Sequence, residues 1–213
     1  MSRQRLTTDE RRAQLLELGL QLFATRAYDD ISIDDIAQLA GVSKGLLYHY
    51  FGGKKDFYKA TLTLGAEHML VALEPSTVGT PLDRARHGLL AYLDFVESRR
   101  SAYLAVMRGG VGTDRDIMEI IESVRQQICA SILQSIDMQQ QGAVIRLAVR
   151  GWVGSVEAAS LHQLEHDDVS RDVFVQMMIS TLFFTVAQAA MLDPSAGVVV
   201  DPSTVAQLVS KLD

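Results

Sequence analysis

The stretch Ser32-Ile33-Asp34-Asp35-Ile36-Ala37-Gln38-Leu39-Ala40-Gly41-Val42-Ser43-Lys44-Gly45-Leu46-Leu47-Tyr48-His49-Tyr50-Phe51 reads as two short helices joined by a tight turn. Ser32 suits the N-cap of a helix, and Asp35 falls in the first turn, where the helix dipole favours negative charge. A helix is therefore expected from residue 33. Ala37 sits where two crossing helices come closest, and Gly41 can take the left-handed conformation that ends a helix and turns the chain. Ser43 then caps a second helix. In it Leu47 shares a core with Ile36, Ala40 and Val42, while Lys44, Gly45, Tyr48 and His49 point outward. Two helices so joined have the format that lays the second into a groove of duplex DNA.

Downstream, Tyr48-His49-Tyr50-Phe51-Gly52-Gly53-Lys54 closes the second helix in an aromatic cluster, breaks at two glycines and opens another helix with Lys54 in its first turn. A cation has the wrong sign there, and a phosphate nearby would repair the mismatch. From Arg11 to Thr61 the chain resembles the N-terminal domain of the tetracycline-repressor (TetR) family of bacterial transcription regulators. The resemblance rests on Ala13-Gln14-Leu15-Leu16 leading to Leu22-Phe23-Ala24-Thr25-Arg26-Ala27-Tyr28, then Ile36-Ala37, Gly41-Val42-Ser43 and Leu47-Tyr48-His49-Tyr50-Phe51 followed by Lys54. Ala27 departs from it, since relatives usually carry glycine there. The resemblance implies a helix-turn-helix DNA-binding domain over residues 1–53 and a helical effector-binding and dimerisation domain over 54–213. It implies phosphate contacts at Ser32, Ile33, Tyr48, His49 and Lys54, and base-edge contacts at Lys44, Gly45 and Leu46, with Ser43 on the same surface. Asp34 stands where some relatives are basic, and its carboxylate would repel phosphate.

Composition agrees with a globular protein: 213 residues, 48% hydrophobic and 22% charged. The net charge is −6, yet residues 1–60 hold 9 Lys and Arg against 8 Asp and Glu, leaving 11 against 18 for the remainder. Acid concentrated away from the two-helix motif would steer the correct face toward DNA, or serve solubility alone. Cys129 is the single cysteine, which excludes an intramolecular disulfide and a cysteine-based metal cluster and points to a reducing cytoplasm. Met1-Ser2-Arg3-Gln4-Arg5 lacks the apolar core of a signal peptide. The longest apolar run, Ile179 to Leu192, is short for a membrane span and contains Gln188, so no membrane partner is expected. Arg3 and Arg5 suit either a minor-groove arm or an ordinary loose end.

Apolar stripes of period 3.6 run almost throughout, predicting an all-α chain. Helices are expected over 8–25, with Thr7 and Glu10 as a capping box, and over 54–73. Another opens at Thr80-Pro81 and ends near 99, and others span 102–108, 114–138, 143–167 and 170–192. Asp201-Pro202 suits the cap of a last short helix. Along one side of 143–167 lie Val144, Leu147, Ala148, Gly151, Gly154, Ser155, Ala158 and His162; interior glycines this close suggest near backbone approach to another helix. Helices 143–167 and 170–192 are therefore expected to form a homodimer interface, with an intramolecular core as the alternative. The resemblance implies a four-helix bundle between two subunits.

Leu89, Tyr92, Leu93, Val96, Tyr103, Met107, Met118, Ile121, Val124 and Arg125 are expected to line a site for a small apolar or amphipathic effector, or else to be ordinary packing. His87, Arg108, Arg125 and Tyr103 are the groups available to orient a polar head. The glycine-rich loop 108–113 lacks the preceding strand and the lysine of a phosphate loop and reads as a connection. His162-Gln163-Leu164-Glu165-His166 matches the H-x-x-E-H zinc-peptidase pattern, which needs a third ligand. Together these features predict a ligand-responsive regulator, a repressor released from DNA by its effector, with no catalytic residue, resident metal or cofactor. A hydrolase using His162 and His166, and a DNA-bound adaptor without a ligand, are the alternatives.

Overall fold

The computed structural model describes residues 7–75, 78–108, 114–135 and 142–193. Among these residues there are nine α-helices and no strand: α1 (Thr8–Thr25), α2 (Ile33–Ala40), α3 (Lys44–Phe51), α4 (Lys54–Ala72), α5 (Pro81–Ser98), α6 (Arg100–Arg108), α7 (Arg115–Ser135), α8 (Ala143–His166) and α9 (Arg171–Leu192). The arm at Arg3 and Arg5, the loop 109–113, the chain from 136 to 141 and the helix expected after Asp201 lie outside the described residues.

The elements begin and end where local chemistry provides partners for backbone groups that a helix terminus leaves open. Thr7 and Glu10 form the expected capping box: the Glu10 N–H donates to Thr7 Oγ1 at 3.2 Å and the Thr7 N–H donates to Glu10 Oε2 at 2.8 Å. Ser32 and Asp35 repeat it at α2, at 3.1 and 2.8 Å. Gly41 is left-handed, with φ 62° and ψ 35°, and Val42 N–H closes on Ala37 O at 3.0 Å. Ser43 Oγ accepts from Leu46 N–H at 3.2 Å and starts α3. The start of α6 lies two residues before its expected place, at Arg100, because the polar Arg100-Ser101 pair forms a first turn that carries no apolar signal; α7 is described to Ser135, and the other helix ends fall within one residue of expectation.

The described helices pack as two units. The first joins α1 to α4 with α6 and the start of α7, over 7–71, 98–108 and 114–123. Its core contains Leu15, Leu16, Leu22 and Phe23 of α1, Ile36 of α2, Leu47 and Phe51 of α3, and Phe57 and Tyr58 of α4. Ala40 and Val42 pack against it as expected. Edge-to-face ring pairs fix its centre, Phe23 with Tyr58 at 4.6 Å and Phe51 with Phe57 at 5.0 Å between centroids. Burial pushes the Tyr58 phenol up to about 12, so its hydroxyl stays neutral.

Gly19 sets the α1–α4 approach. A Cβ built on it would lie 2.4 Å from Thr61 Oγ1 and 2.8 Å from Phe57 Cζ, while Thr61 is fixed by its hydroxyl donating to Phe57 O at 2.9 Å. We expect Gly19→Ala to cost about 1–3 kcal/mol through overpacking, read by chemical denaturation, and Thr61→Ala in the same chain to restore part of it. An unchanged midpoint in the single variant would refute so close an approach.

The second unit holds α5, the rest of α7, α8 and α9. Trp152 Nε1 donates to Met178 O at 2.8 Å inside the α8–α9 contact, where Val149, Val156, Phe174 and Ile179 are buried. Asp167 ends α8 in the left-handed region with φ 50°, a conformation Asp tolerates better than most residues, and Ser170 caps α9. Arg171, at the start of α9, donates to Glu97 at 2.9 Å and to Asp94, both of α5; the Asp94 hydrogen bond raises its pKa further. By length and composition α9 is apolar enough to cross a membrane, since it begins eight residues before the run at Ile179; half of its apolar window is buried.

Candidate functional site

The exposed face of the two-helix motif is built by α3. Ser43, Lys44, Gly45 and His49 are exposed, and Tyr48 retains 51% of its surface. Among the described residues a Cβ on Gly45 would meet only Ser43 Oγ, at 3.9 Å, so they leave open space over this residue. Leu46 and Ile33 are half-buried, Ile33 packing on the core, while Ser32 is exposed beside it at the start of α2. Ser43 also does local work as the α3 cap. The structure thus gathers Ser32, Ile33 and residues 43–49 in one motif.

Two side-chain placements differ from the sequence-based expectation of open cations. Lys44 Nζ lies 2.5 Å from Asp34 Oδ1, with both side chains more than half exposed. Lys54 Nζ sits 4.0 Å above the Tyr28 ring centroid, so a π face accepts part of the charge that is misplaced at the α4 N-terminus. Neither partner was identified from sequence, because the pairs join different helices or a helix and a turn. Around them, Ser32 hydrogen bonds, first from its backbone N–H and then from its hydroxyl, hold the Asp35 carboxyl below the ordinary range. Farther along α4, Lys55 meets Asp114 at 2.5 Å and Lys59 meets Asp116 at 2.7 Å. The Lys55 hydrogen bond is the main cause of the lowered Asp114 pKa.

Residues 15–61 match the family model of bacterial regulatory proteins, tetR family, and residues 81–185 match that of the tetracyclin repressor-like C-terminal domain. This chain belongs to the TetR family. A crystal structure of a tetR-family transcriptional regulator from Streptomyces coelicolor is similar at 29% identity with a TM-score of 0.82, over 96% of this chain and 90% of that one. FasR, an HTH-type transcriptional activator of Mycolicibacterium smegmatis, is 28% identical over 140 residues, and HbdR, an HTH-type transcriptional regulator of Aromatoleum sp., is 29% identical over 140 residues. These alignments cover 65% of this chain and 64% and 61% of the respective relatives, so the chain spans just under two thirds of their length.

In this TetR-family chain the residues expected to line an effector site fall into two groups. Leu89, Tyr92, Leu93 and Val96 are buried on α5 in the second unit, with half-buried Val124 and Arg125 on α7. Tyr103, Met107 and Met118 belong to the first unit with Ile121, which packs on its core; Met118 is 44% exposed. Arg125 Nε donates to both carboxylate oxygens of Glu157 at 2.9 Å, and the Ser160 hydroxyl on the same helix as Glu157 is buried with no hydrogen-bond partner among the described residues. Sequence reasoning missed Glu157 and Ser160; the 32 residues separating Arg125 from Glu157 leave no local spacing to reveal the pair.

The long pair leaves two apolar stripes exposed. On α8 they comprise Leu147, at 72%, with Gly151, Ser155, Ala158 and His162; on α9 they comprise Val173, Met177, Phe184 and Met191. The α8 set recurs every three or four residues and the α9 set at spacings of four and seven, so each marks one helix face. Nothing lies within 4 Å of a Cβ on Gly151, and only Arg150 Nη1, at 3.8 Å, approaches one on Gly154. The two glycines therefore serve no helix contact within the described residues. At the far end of α8 the His162 and His166 rings stack 4.2 Å apart, His166 Nδ1 faces His162 O at 3.0 Å, and His162 Nε2 lies 3.6 Å from Asp168. Among the described residues no group of three His, Cys, Asp or Glu side chains is placed to hold a metal ion.

Proposed function

We propose that the chain is a cytoplasmic, non-catalytic transcription regulator that binds operator DNA as a homodimer and is released from it by a mainly apolar or amphipathic small molecule. The observation that carries the DNA reading is the exposed face of α3, where Gly45 leaves room for the duplex and Lys44, Tyr48 and His49 supply polar contacts. Residues 1–53 would form the DNA-binding domain and 54–213 the effector and dimer domain. Membership of the TetR family and the structural likeness to the Streptomyces regulator support this reading. The exposed stripes of α8 and α9, with two glycines that no neighbour fills, support self-association.

In this mechanism the two α3 helices of a dimer enter successive major grooves about 34–36 Å apart, or a further turn apart. A movement of α4 changes that separation. The ion pairs from Lys55 and Lys59 to Asp114 and Asp116 are suited to transmitting movement of α7 to α4. The direction of regulation depends on where the operator lies, and FasR carries the name of an activator. A repressor is the reading favoured here, because a dimer covering two grooves excludes other proteins from the same DNA.

A thermal-shift screen of apolar and amphipathic compounds, followed by operator binding in their presence, tests the effector part. A true effector raises the melting temperature and releases DNA; to move the population from nearly all competent to nearly all released it must favour the released form by about 5.5 kcal/mol. A broad library without one shift or release would overturn it in favour of a ligand-free adaptor.

A further inference from the structure

The pair between Asp34 and Lys44 on the α3 face opposes simple attraction to DNA. Asp34 lies in the first turn of α2 and Lys44 opens α3, and their charged atoms meet at 2.5 Å with both side chains open to solvent. An exposed lysine at a groove-facing helix start reaches any phosphate on a flexible stem, which adds affinity without sequence information. Here a carboxylate already occupies the ammonium. Moving Lys44 to a phosphate would leave Asp34 uncompensated beside a polyanion, a penalty that every sequence imposes equally. A base edge offering oxygen and nitrogen acceptors in register compensates the ammonium at a fixed place, and only some sequences provide it.

Resting on the DNA-binding reading above, we propose that Asp34 is a specificity-determining positioning residue: it holds Lys44 away from phosphate and so suppresses binding to non-operator DNA. The carboxylate thereby lowers total affinity for duplexes while widening the gap between operator and bulk DNA.

The test compares Asp34→Asn, which keeps the side-chain shape, with the wild-type protein on two probes. One is a random-sequence duplex, and the other is the duplex most enriched by the wild-type protein from a randomised pool. Freed from Asp34, Lys44 adds one phosphate contact to random DNA. The slope of log affinity against log salt should then steepen by about 0.9, so the ratio of affinities at 0.1 M and 1 M salt grows by a further factor of about eight over wild type. Affinity for the enriched duplex should change less, so the ratio of the two falls. Asp34→Asn combined with Lys44→Gln should return the random-duplex slope to the wild-type value; circular dichroism confirms folding of each. An unchanged slope in Asp34→Asn, an equal change on both probes, or a gain that survives Lys44→Gln overturns the proposal. Wild-type protein that binds neither probe instead overturns the regulator reading itself.

Discussion

Placing a carboxylate on the exposed stripe of the long helix pair, as in Leu147→Glu or Phe184→Glu, is expected to give a folded chain that no longer dimerises and has lost operator binding by about a thousandfold or more. In the single chain Leu147 is 72% exposed and Phe184 47%, so a charge at either place stays solvated and costs the monomer little. In a two-fold interface the same substitution occurs on both copies. Each buried carboxylate without a partner costs several kcal/mol, and about 1.4 kcal/mol already corresponds to a factor of ten. Sedimentation equilibrium and operator binding should therefore fail together while the thermal melt of each variant stays cooperative. Variants that remain dimeric, or a wild-type chain that is monomeric at micromolar concentration, would place the interface elsewhere.

The second large effect is expected at Gly45. A Cβ there would have only Ser43 Oγ near it, at 3.9 Å, and glycine within a helix costs up to about 1 kcal/mol relative to alanine. Gly45→Ala should thus leave the free protein as stable as wild type or slightly more so. On DNA the added carbon occupies the space through which the duplex approaches the helix. Operator affinity should fall at least about tenfold for Ala and about a hundredfold for Val, effects of about 1.4 and 2.8 kcal/mol. Such a separation of stability from binding would mark the residue as part of the DNA surface. If Gly45→Val binds operator normally, α3 does not approach DNA through this face.

What could be read from the sequence was local. The Thr7 and Glu10 box, the left-handed Gly41, the Ser43 cap and the core position of Leu47 all depend on residues within a few positions of one another, and each appears where expected. Period alone also separated the faces of α8, since none of the eight residues assigned to its outer side is buried. Contacts between distant segments left no such trace. The role of Gly19 carries no local signal and emerges only with Thr61 and Phe57 packed against it. Lys44 and Lys54 read as open cations until Asp34 and Tyr28 take their ammonium groups. The association of α6 and the start of α7 with the first four helices is likewise long-range, with no composition shift in the chain to announce it.

The central claim is sequence-specific binding by a two-fold dimer, and selection of duplexes of about 30 base pairs from a randomised pool tests it most directly, with footprinting and the stoichiometry of the enriched complex as readouts. The account predicts a palindrome whose half-site centres lie about one helical turn apart, 10–10.5 base pairs, or a multiple of it, holding one protomer per half-site. Failure to enrich any sequence over random DNA, or a single protomer on a site without two-fold symmetry, would contradict it.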